Sequence, residues 1–360
     1  MRRTIGLTLL SLGLIAGCGK DEFADATPQT SALQMELTGD SSEGLTAQSA
    51  DWGAQRQALS TALPEWLQHT KDAIAALNGA VAKVLAPVEQ AIAANAGKLA
   101  TGDTKTYGPV DKDGATFQFI MKKIDANTFG WVLEAKPQGA ADSAYVVVLA
   151  GAIQKGTEPH HGRGIMGADL DKLATVDASF HGSGQLLVGF AHVSGFKVLA
   201  YGLHNFSPDV SQYEPVDAIF SGWKGPDGVA RVRLAAYANI QDTPTDAKEL
   251  SIMRARWLPG VGGRADAIAA KGDIPAGHVY VANACWDRDQ SDVNGFYALR
   301  DCQVGFLTTN CTVVKTAGQL TNCARGLDDE QLPPMDPMDP TQEQGSPEQP
   351  TIPSTMPTGN

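Results

Sequence analysis

Residues 116–136 read TFQFIMKKIDANTFGWVLEAK. Apolar and polar residues alternate on both sides of the central Asp-Ala-Asn, which is the spacing of a strand with one buried face. Asp and Asn favour turns because their side chains form hydrogen bonds to the nearby backbone. The stretch therefore predicts a β-hairpin that presents these side chains to one core: Phe117, Phe119, Met121, Phe129, Trp131 and Leu133.

Strand-like alternation recurs between residues 103 and 327, and short turns such as Ser194-Gly195 separate the segments. Residues 167–176 alone have the pattern of a helical turn, and the glycine-rich residues 259–267 are expected to join two strands as a loop. Successive strands with short turns form antiparallel meanders. We therefore expect a mainly β domain over residues 103–327, with an antiparallel meander in a curved-sheet or barrel-like form. Its further strands are predicted at residues 144–153, 184–193, 196–206, 216–223, 229–240, 249–258, 278–286 and 294–302.

A helical segment is expected within residues 51–102, ahead of the β domain. Apolar residues recur there three, four or seven positions apart, which makes a single apolar stripe. Pro64 suits a first helical turn, whereas Pro87 is expected to end or kink the helix. The stripe predicts a helix docked on its own domain or a helical hairpin, and the alternative is a coiled-coil partner face. Its members are Leu63, Leu67, Ile74, Leu77, Val81, Val84, Val88 and Ile92.

The chain begins with Met1-Arg2-Arg3, and an apolar run from Ile5 to Ile15 precedes Ala16, Gly17 and Cys18. A basic start, a short apolar run and small residues before a cut are the parts of a secretory signal. The run is shorter than the roughly 20 residues that a membrane-spanning helix needs. We therefore expect residues 1–17 to be a signal peptide, and an ordinary signal with an incidental cysteine is the alternative.

The four residues Ile15-Ala16-Gly17-Cys18 resemble the lipobox of bacterial lipoproteins. That resemblance implies cleavage before Cys18, acylation of its sulfur, as in a palmitate modification, and attachment to the lipid bilayer through this residue. Two or more acyl chains give stable anchoring, whereas one gives only reversible binding. Gly19 stands where Asp resembles an inner-membrane retention signal, so the resemblance favours the outer membrane, with the domain facing the periplasm or the cell surface.

Both ends of the mature chain are expected to be disordered. Residues 18–50 are rich in Ser, Thr, Asp, Glu and Gly, so we expect a disordered tether. Residues 328–360 contain eight prolines and no aromatic residue, so we expect a disordered proline-rich tail.

The net charge is −12 for the whole chain, and without residues 1–17 it becomes −14, from 26 basic and 40 acidic residues. Nucleic-acid and anionic-lipid partners need clustered Lys and Arg. The charge therefore argues against both classes of partner, and solubility is the simpler explanation of the acidity.

Four cysteines lie near the end of the chain: Cys285, Cys302, Cys311 and Cys323. An even number in an exported chain predicts two disulfides and a stapled C-terminal cap. Three pairings exist. We favour Cys285–Cys302 with Cys311–Cys323, because residues 289–295 read as the turn of a hairpin that places the first pair opposite each other. A zinc site is the alternative, although no C-x-x-C spacing is present.

Two stretches are weak candidates for metal sites. His160 and His161 lie near three acidic residues, Glu158, Asp169 and Asp171, although neighbours on a strand point to opposite faces. Asp287 and Asp289 occupy the first and third positions of an EF-hand-like loop that lacks the turn glycine and the final glutamate. In both stretches a polar loop is the simpler interpretation, and we predict no cofactor.

Four arginines have the spacing of side chains on one face of two strands: Arg231, Arg233, Arg254 and Arg256. They predict either an anion-binding patch or, as the simpler interpretation, a solvated face paired with acids such as Asp217 and Glu249. Trp223 and Trp257 are expected in the β core, and stacking on a sugar or a lipid is the alternative.

No catalytic constellation can be assigned from these residues. We therefore expect a membrane-anchored cell-envelope lipoprotein whose non-catalytic β-rich domain binds or scaffolds another envelope protein, a lipid or another apolar ligand. The alternative is an envelope hydrolase with a site in the loop at residues 158–171.

Overall fold

The computed structural model describes residues 22–27, 29–35, 63–94, 102–157, 161–211, 214–238, 247–287, 296–304 and 310–318. The helices are α1 (Glu22–Asp25), α2 (Thr30–Leu33), α3 (Leu63–Ala94) and α4 (Leu170–Val176), with a 3-10 turn at Asp142–Ala144. The strands are β1 (Thr104–Lys112), β2 (Ala115–Lys123), β3 (Thr128–Pro137), β4 (Val146–Lys155), β5 (Gly162–Asp169), β6 (Ser183–Val193), β7 (Phe196–Ser207), β8 (Val216–Lys224), β9 (Ala230–Ala238), β10 (Glu249–Leu258), β11 (Gly262–Ala270), β12 (His278–Asp287), β13 (Phe296–Gln303) and β14 (Cys311–Gly318).

These strands form one sheet in which spatial order equals chain order, from β1 to β14. Every neighbouring pair is antiparallel. Within the described strands β1 and β14 are not paired with each other, so the sheet is open. The expectation of a mainly β antiparallel meander is confirmed, and the sheet is not a closed one.

The hairpin predicted from residues 116–136 is present as β2 and β3. Phe119 lies opposite Leu133, and Met121 lies opposite Trp131, so the predicted apolar side chains share one face and are almost fully buried. In the turn, Asp125 Oδ1 accepts hydrogen bonds from the backbone N–H groups of Asn127 and Thr128, each at 2.8 Å. These bonds, first that from Asn127, lower the pKa of Asp125.

The glycine-rich residues 259–267 do not form the expected loop alone, because β11 begins at Gly262. The expectation was wrong because this strand consists mostly of small residues and has few of the β-branched residues that mark strands. Gly263 lies opposite Trp286, and a Cβ atom at Gly263 would stand 2.6 Å from the Trp286 Nε1 atom. The glycine therefore makes room for an indole ring that packs on the strand.

α3 is one continuous helix with Pro87 inside it. The helix therefore does not end at that proline. Pro64 lies in its first turn, as predicted. The stripe from Ile74 through Val88 is buried against β1 and β2. Packing of this face stabilises the helix beyond the proline, where one backbone hydrogen bond is absent. The interpretation of a helix docked on its own domain is confirmed.

Part of the expected tether, residues 22–27 and 29–35, is instead packed on the domain. The Phe23 ring lies 5.5 Å from the Phe129 ring, Leu33 is fully buried, and Met35 packs over Gly222. The expectation of disorder rested on average composition. Three large apolar residues within fourteen positions are enough to hold this short segment on the sheet.

Hydrogen bonds hold the same segment in place. The Asn78 side chain of α3 accepts the Met35 N–H at 2.8 Å and donates to the Met35 carbonyl at 2.9 Å. The Tyr201 hydroxyl donates to the buried Leu33 carbonyl. Burial raises the pKa of Tyr201 well above its usual value. The N-terminal segment is therefore fixed between α3 and the centre of the sheet.

The cysteine pairing differs from the one we favoured. Cys302 and Cys311 are bonded to each other across β13 and β14, so both expected pairs are wrong. The strand register explains this, since Cys285 lies opposite Phe296, at the far end of the β12–β13 hairpin from Cys302. The six residue-to-residue steps from Phe296 to Cys302 span about 20 Å. Cys285 is also disulfide-bonded, which confirms a stapled C-terminal region.

The signal peptide at residues 1–17, Cys18, the proline-rich tail and Cys323 lie outside the described residues. Among the helices that the structure describes, none has both the length and the apolar character needed to span a membrane.

Candidate binding site on the open face of the sheet

The sheet has two unlike faces. On one face, large side chains such as Phe117, Trp131, Tyr201 and Phe220 form a common core with α3 and the N-terminal segment. The opposite side, which we call the open face, carries the alternate residues of the same strands. Because the period of a strand is two, each side chain belongs to one face or the other. The candidate site lies on the open face.

One row of directly opposed residues crosses the open face from β4 to β10. Its first part is small or apolar, and its last part is cationic. Neighbouring strands lie about 4.8 Å apart, so the row is about 29 Å long. In order it contains Ala152, Ile165, Gly189, Ala200, Ser221, Arg233 and Arg254.

We call the first part of this row, together with Val198, the apolar strip; it comprises Ala152, Ile165, Gly189, Ala200 and Val198. Ile165 is 49% exposed and Val198 is 40% exposed. The strip lies in a shallow depression of about 660 Å³. A Cβ atom at Gly189 would meet nothing nearer than the Ala200 Cβ atom at 4.0 Å. The strip is thus an accessible apolar surface whose centre is kept low by small residues.

Five arginines form the second part, which we call the arginine cluster: Arg231, Arg233, Arg254, Arg256 and Arg264. Arg231 lies opposite Arg256, which in turn lies opposite Arg264, and Arg233 lies opposite Arg254. Like charges that lie directly opposite each other destabilise a sheet. The cluster therefore concentrates positive charge at a place where strand pairing alone disfavours it.

The arginine cluster surrounds a cavity of about 400 Å³. Among the described residues that line it there are five arginines and no acid, and the remaining residues are mostly apolar or small. Val198 lines both this cavity and the apolar depression. The two cavities therefore adjoin at Val198, and each has the volume of an ordinary small-molecule site.

The arginines differ in their surroundings. Arg231 lies over the Trp223 ring, with 5.4 Å from its guanidinium carbon to the ring centroid. Arg264 is buried and forms an ion pair with Asp266 at 3.0 Å. The Arg256 Nε atom is buried and has no hydrogen-bond partner within the described part of the chain. A buried donor without a partner is energetically disfavoured, so a polar group that reached it would stabilise this side chain.

The two acids that we named as partners of the arginines have other contacts in the structure. Asp217 Oδ1 lies 2.9 Å from His204 Nδ1 and accepts the Asn205 N–H. Glu249 points to the other face of the sheet, is fully buried and accepts the Asp273 N–H at 3.1 Å. The sequence pattern placed the four arginines on one face correctly, but it did not fix the face of Glu249 or the contacts of Asp217.

The loop proposed for a metal or a hydrolase does not bring its described residues together. His161 precedes β5 and its ring lies 5.4 Å from the His192 ring, whereas Asp169 ends β5, about 23 Å further along the strand. Asp169 caps α4 by accepting the Lys172 N–H, and Asp171 accepts the Gly184 N–H. These acids thus have structural roles away from His161, and Glu158 and His160 lie outside the described residues.

The calcium candidate is described only in part. Asp287 is the last residue of β12, and Asp289 lies outside the described residues. Within the described part of the chain, no group of three or more His, Cys, Asp or Glu side chains is close enough to hold a metal ion.

The two candidate tryptophans have different positions. Trp257 is buried in the core beside Trp286, with 5.7 Å between the ring centroids, as expected. Trp223 lies instead on the open face, where it lines the arginine cavity and contacts the Phe196 ring at 5.6 Å. Trp223 directly follows Gly222, which is buried, and consecutive residues of a strand point to opposite faces. This alternation is the signal that places Trp223 on the open face.

Sequence reasoning missed two parts of this site. Arg264 was overlooked because its strand, β11, was read as a loop. The apolar strip was overlooked because glycine and alanine carry little strand signal. In comparisons with protein-family models, with curated proteins and with solved structures, no match to this chain was found, so the site rests on its own geometry.

Proposed function

We propose that this protein is a lipid-anchored lipoprotein of the cell envelope whose sheet domain binds a lipid or another apolar ligand without catalysing a reaction. The observation that carries the proposal is the apolar strip, where Ile165 and Val198 are about half exposed in a depression wide enough for a ligand. Contiguous apolar patches at a protein surface are typical of binding sites.

The position of the strip supports this function. The helices and the aromatic core stabilise the opposite face, so the strip is not needed to hold the sheet together. Its small residues, such as Gly189 and Ala200, leave space above the backbone that larger side chains would fill. A surface of this kind is suited to receive a ligand.

The anchor follows from the resemblance of residues 15–18 to a lipobox. Acyl chains on Cys18 would hold the domain beside a lipid bilayer, which is the source of apolar ligands in the envelope. Gly19 favours the outer membrane within this proposal.

The anchor is tested with Cys18→Ala, with Cys302→Ala as the control. We expect Cys18→Ala to lose its acyl chains by mass spectrometry and to appear in the soluble fraction, while Cys302→Ala stays on membranes. If Cys18→Ala stays on membranes, or if the native Cys18 sulfur is unmodified, the anchoring proposal is wrong.

The ligand is tested with Gly189→Leu, which fills the apolar strip. The control is Gly202→Leu, because Gly202 lies outside both cavities and its added Cβ atom would make an ordinary contact of 3.7 Å with Leu187. Native mass spectrometry of the purified proteins should detect a bound apolar molecule in the wild type and in Gly202→Leu, and much less of it in Gly189→Leu. Equal occupancy in all three proteins, or none in any, would contradict the proposal.

A further inference from the structure

The arginine cluster indicates that the ligand of this site carries a negative charge. We propose that the cluster binds the phosphate monoester headgroup of an anionic lipid whose acyl chain lies along the apolar strip. This inference rests on the proposed function and names the chemical class of its ligand.

The first argument is charge complementarity. The five arginines line one cavity with no acid among its described lining residues, in a chain whose net charge is negative. Guanidinium groups form two parallel hydrogen bonds with phosphate oxygens, which makes arginine the preferred residue for phosphate recognition. Arg256 lines this cavity, and its buried Nε atom has no hydrogen-bond partner in the described chain.

The second argument is that the two cavities are adjacent. Val198 lines both of them, and a single register row leads from Ile165 through Gly189 and Ser221 to Arg233. A ligand in this row would touch apolar residues at one end and arginines at the other. An amphiphile with an anionic head has that distribution of polarity, whereas free phosphate would leave the strip uncovered.

The third argument is length. From Ile165 on β5 to Ser221 on β8 the row crosses three strand spacings, or about 14 Å. One leaflet of a bilayer contributes about 15 Å of hydrocarbon, half of the roughly 30 Å core. The apolar part of the row therefore matches the length of one lipid acyl chain before the arginines begin.

The experiment uses the acylated protein in phosphatidylcholine nanodiscs and three soluble probes. Dihexanoyl phosphatidic acid carries both the phosphate monoester and the chains, dihexanoyl phosphatidylcholine lacks the monoester, and glycerol 3-phosphate lacks the chains. Dissociation constants are measured by microscale thermophoresis. We expect phosphatidic acid to bind at least tenfold more tightly than either of the other two probes.

Variants assign the two halves of the ligand to the two parts of the site. Arg254→Gln/Arg256→Gln should weaken phosphatidic acid binding at least tenfold and leave phosphatidylcholine binding unchanged. Arg256→Lys should also weaken it, because an ammonium group keeps the charge but cannot make the paired hydrogen bonds. Arg300→Gln on β13 is the matched control, since Arg300 lines neither cavity. Gly189→Leu should weaken binding of both lipids and leave glycerol 3-phosphate unchanged.

Folding is controlled by the melting temperature of each variant. If the double variant melts earlier than the wild type, Arg231→Gln replaces it, because Arg231 is exposed and its substitution leaves the core intact.

Three results would overturn the inference. Equal affinity for phosphatidic acid and phosphatidylcholine would mean that the site does not recognise the charge of the headgroup. Glycerol 3-phosphate binding as tight as that of phosphatidic acid would mean a site for soluble phosphate. Unchanged binding in the arginine variants would remove the cluster from the site. The first result leaves the proposed function intact, since a neutral lipid would still occupy the strip, and a failed Cys18→Ala test would leave these affinities unaffected.

Discussion

Two glycines on strands separated by β5 should respond in opposite ways to the same added methyl group. Gly151 on β4 faces the core, where a Cβ atom would stand 2.7 Å from the Trp131 Cε2 atom and 2.5 Å from the Ile165 carbonyl oxygen. Gly189 on β6 faces the open side, where the nearest atom is the Ala200 Cβ atom at 4.0 Å. Comparing the two substitutions separates the effect of side-chain packing from the effect on backbone entropy.

The magnitudes follow from these distances. A carbon–carbon contact is favourable at about 3.5 Å, so Gly151→Ala forces an overlap of about 0.8 Å on a ring that is 1% exposed. Overpacking of a core costs about 1–3 kcal/mol, and the rigid ring and backbone put this case near the upper value. Replacing glycine by alanine lowers the entropy of the unfolded chain and returns about 0.4–1 kcal/mol. We expect a net loss of about 2 kcal/mol for Gly151→Ala and a gain of about 0.5 kcal/mol for Gly189→Ala.

Urea unfolding, followed by circular dichroism, measures both free energies of unfolding. The transition midpoints should move in opposite directions at unchanged m-value, which shows that stability and not the exposed surface has changed. If both variants shift by the same amount in the same direction, the assignment of the two glycines to opposite faces is refuted.

Three further substitutions and a peptide map test other contacts. Tyr201→Phe should cost about 1 kcal/mol at neutral pH, because a buried backbone carbonyl loses its donor. Since burial raises the pKa of Tyr201, wild-type stability should fall above about pH 10, by at most about 1.4 kcal/mol per pH unit, as the unfolded phenol alone ionises; a Tyr201→Phe variant with the same alkaline slope would contradict this origin. Cys302→Ala removes the disulfide to Cys311, which is nine positions away, and should lower the free energy of unfolding by about 2.7 kcal/mol in a thermal or urea melt. No change would mean that the bridge does not constrain the unfolded chain. Asn78→Ala should make the N-terminal segment, residues 22–35, more susceptible to limited proteolysis while the sheet stays intact. An unchanged cleavage pattern would mean that the Asn78 hydrogen bonds do not hold this segment. Peptide mapping without reduction should find Cys285 joined to Cys323, because the acyl anchor and the observed bridge leave no other thiol; a different partner would contradict the anchor or the bridge.

The fold class could be predicted because the decisive signals are local. Alternation and turn residues specify a hairpin such as β2–β3 without reference to the rest of the chain. Strands that follow one another through short turns then leave little choice of topology. The strands β5, β11 and β14 were not among those predicted. Of these, β11 is rich in alanine and glycine, and its assignment depends on the Trp286 ring that packs on it.

Features that depend on register or on distant contacts could not be predicted. The pairing of Cys302 with Cys311 follows from which residues face each other across two hairpins, and a turn motif does not fix that alignment. The order of residues 22–35 depends on Asn78 and Tyr201, which lie far away in the chain.

The charge count did not predict the arginine cluster, for a related reason. The chain is acidic overall, and that count argued against anionic partners. The fold nevertheless collects five of its arginines on three adjacent strands at one face. Net charge describes the whole molecule, whereas recognition depends on local charge. The spacing of two arginine pairs was visible in the sequence, but the fifth arginine and its ion pair with Asp266 were not.

Because spatial order equals chain order, each strand of this sheet is paired only with the strands just before and just after it. Contacts of this kind close short loops, and such chains can fold progressively as they emerge, one hairpin at a time. A change of length is also simple in this arrangement, since a hairpin gained or lost in evolution would lengthen or shorten the ribbon without rewiring its remaining pairs. The width of the proposed binding surface is therefore a quantity that gene duplication of single hairpins can adjust.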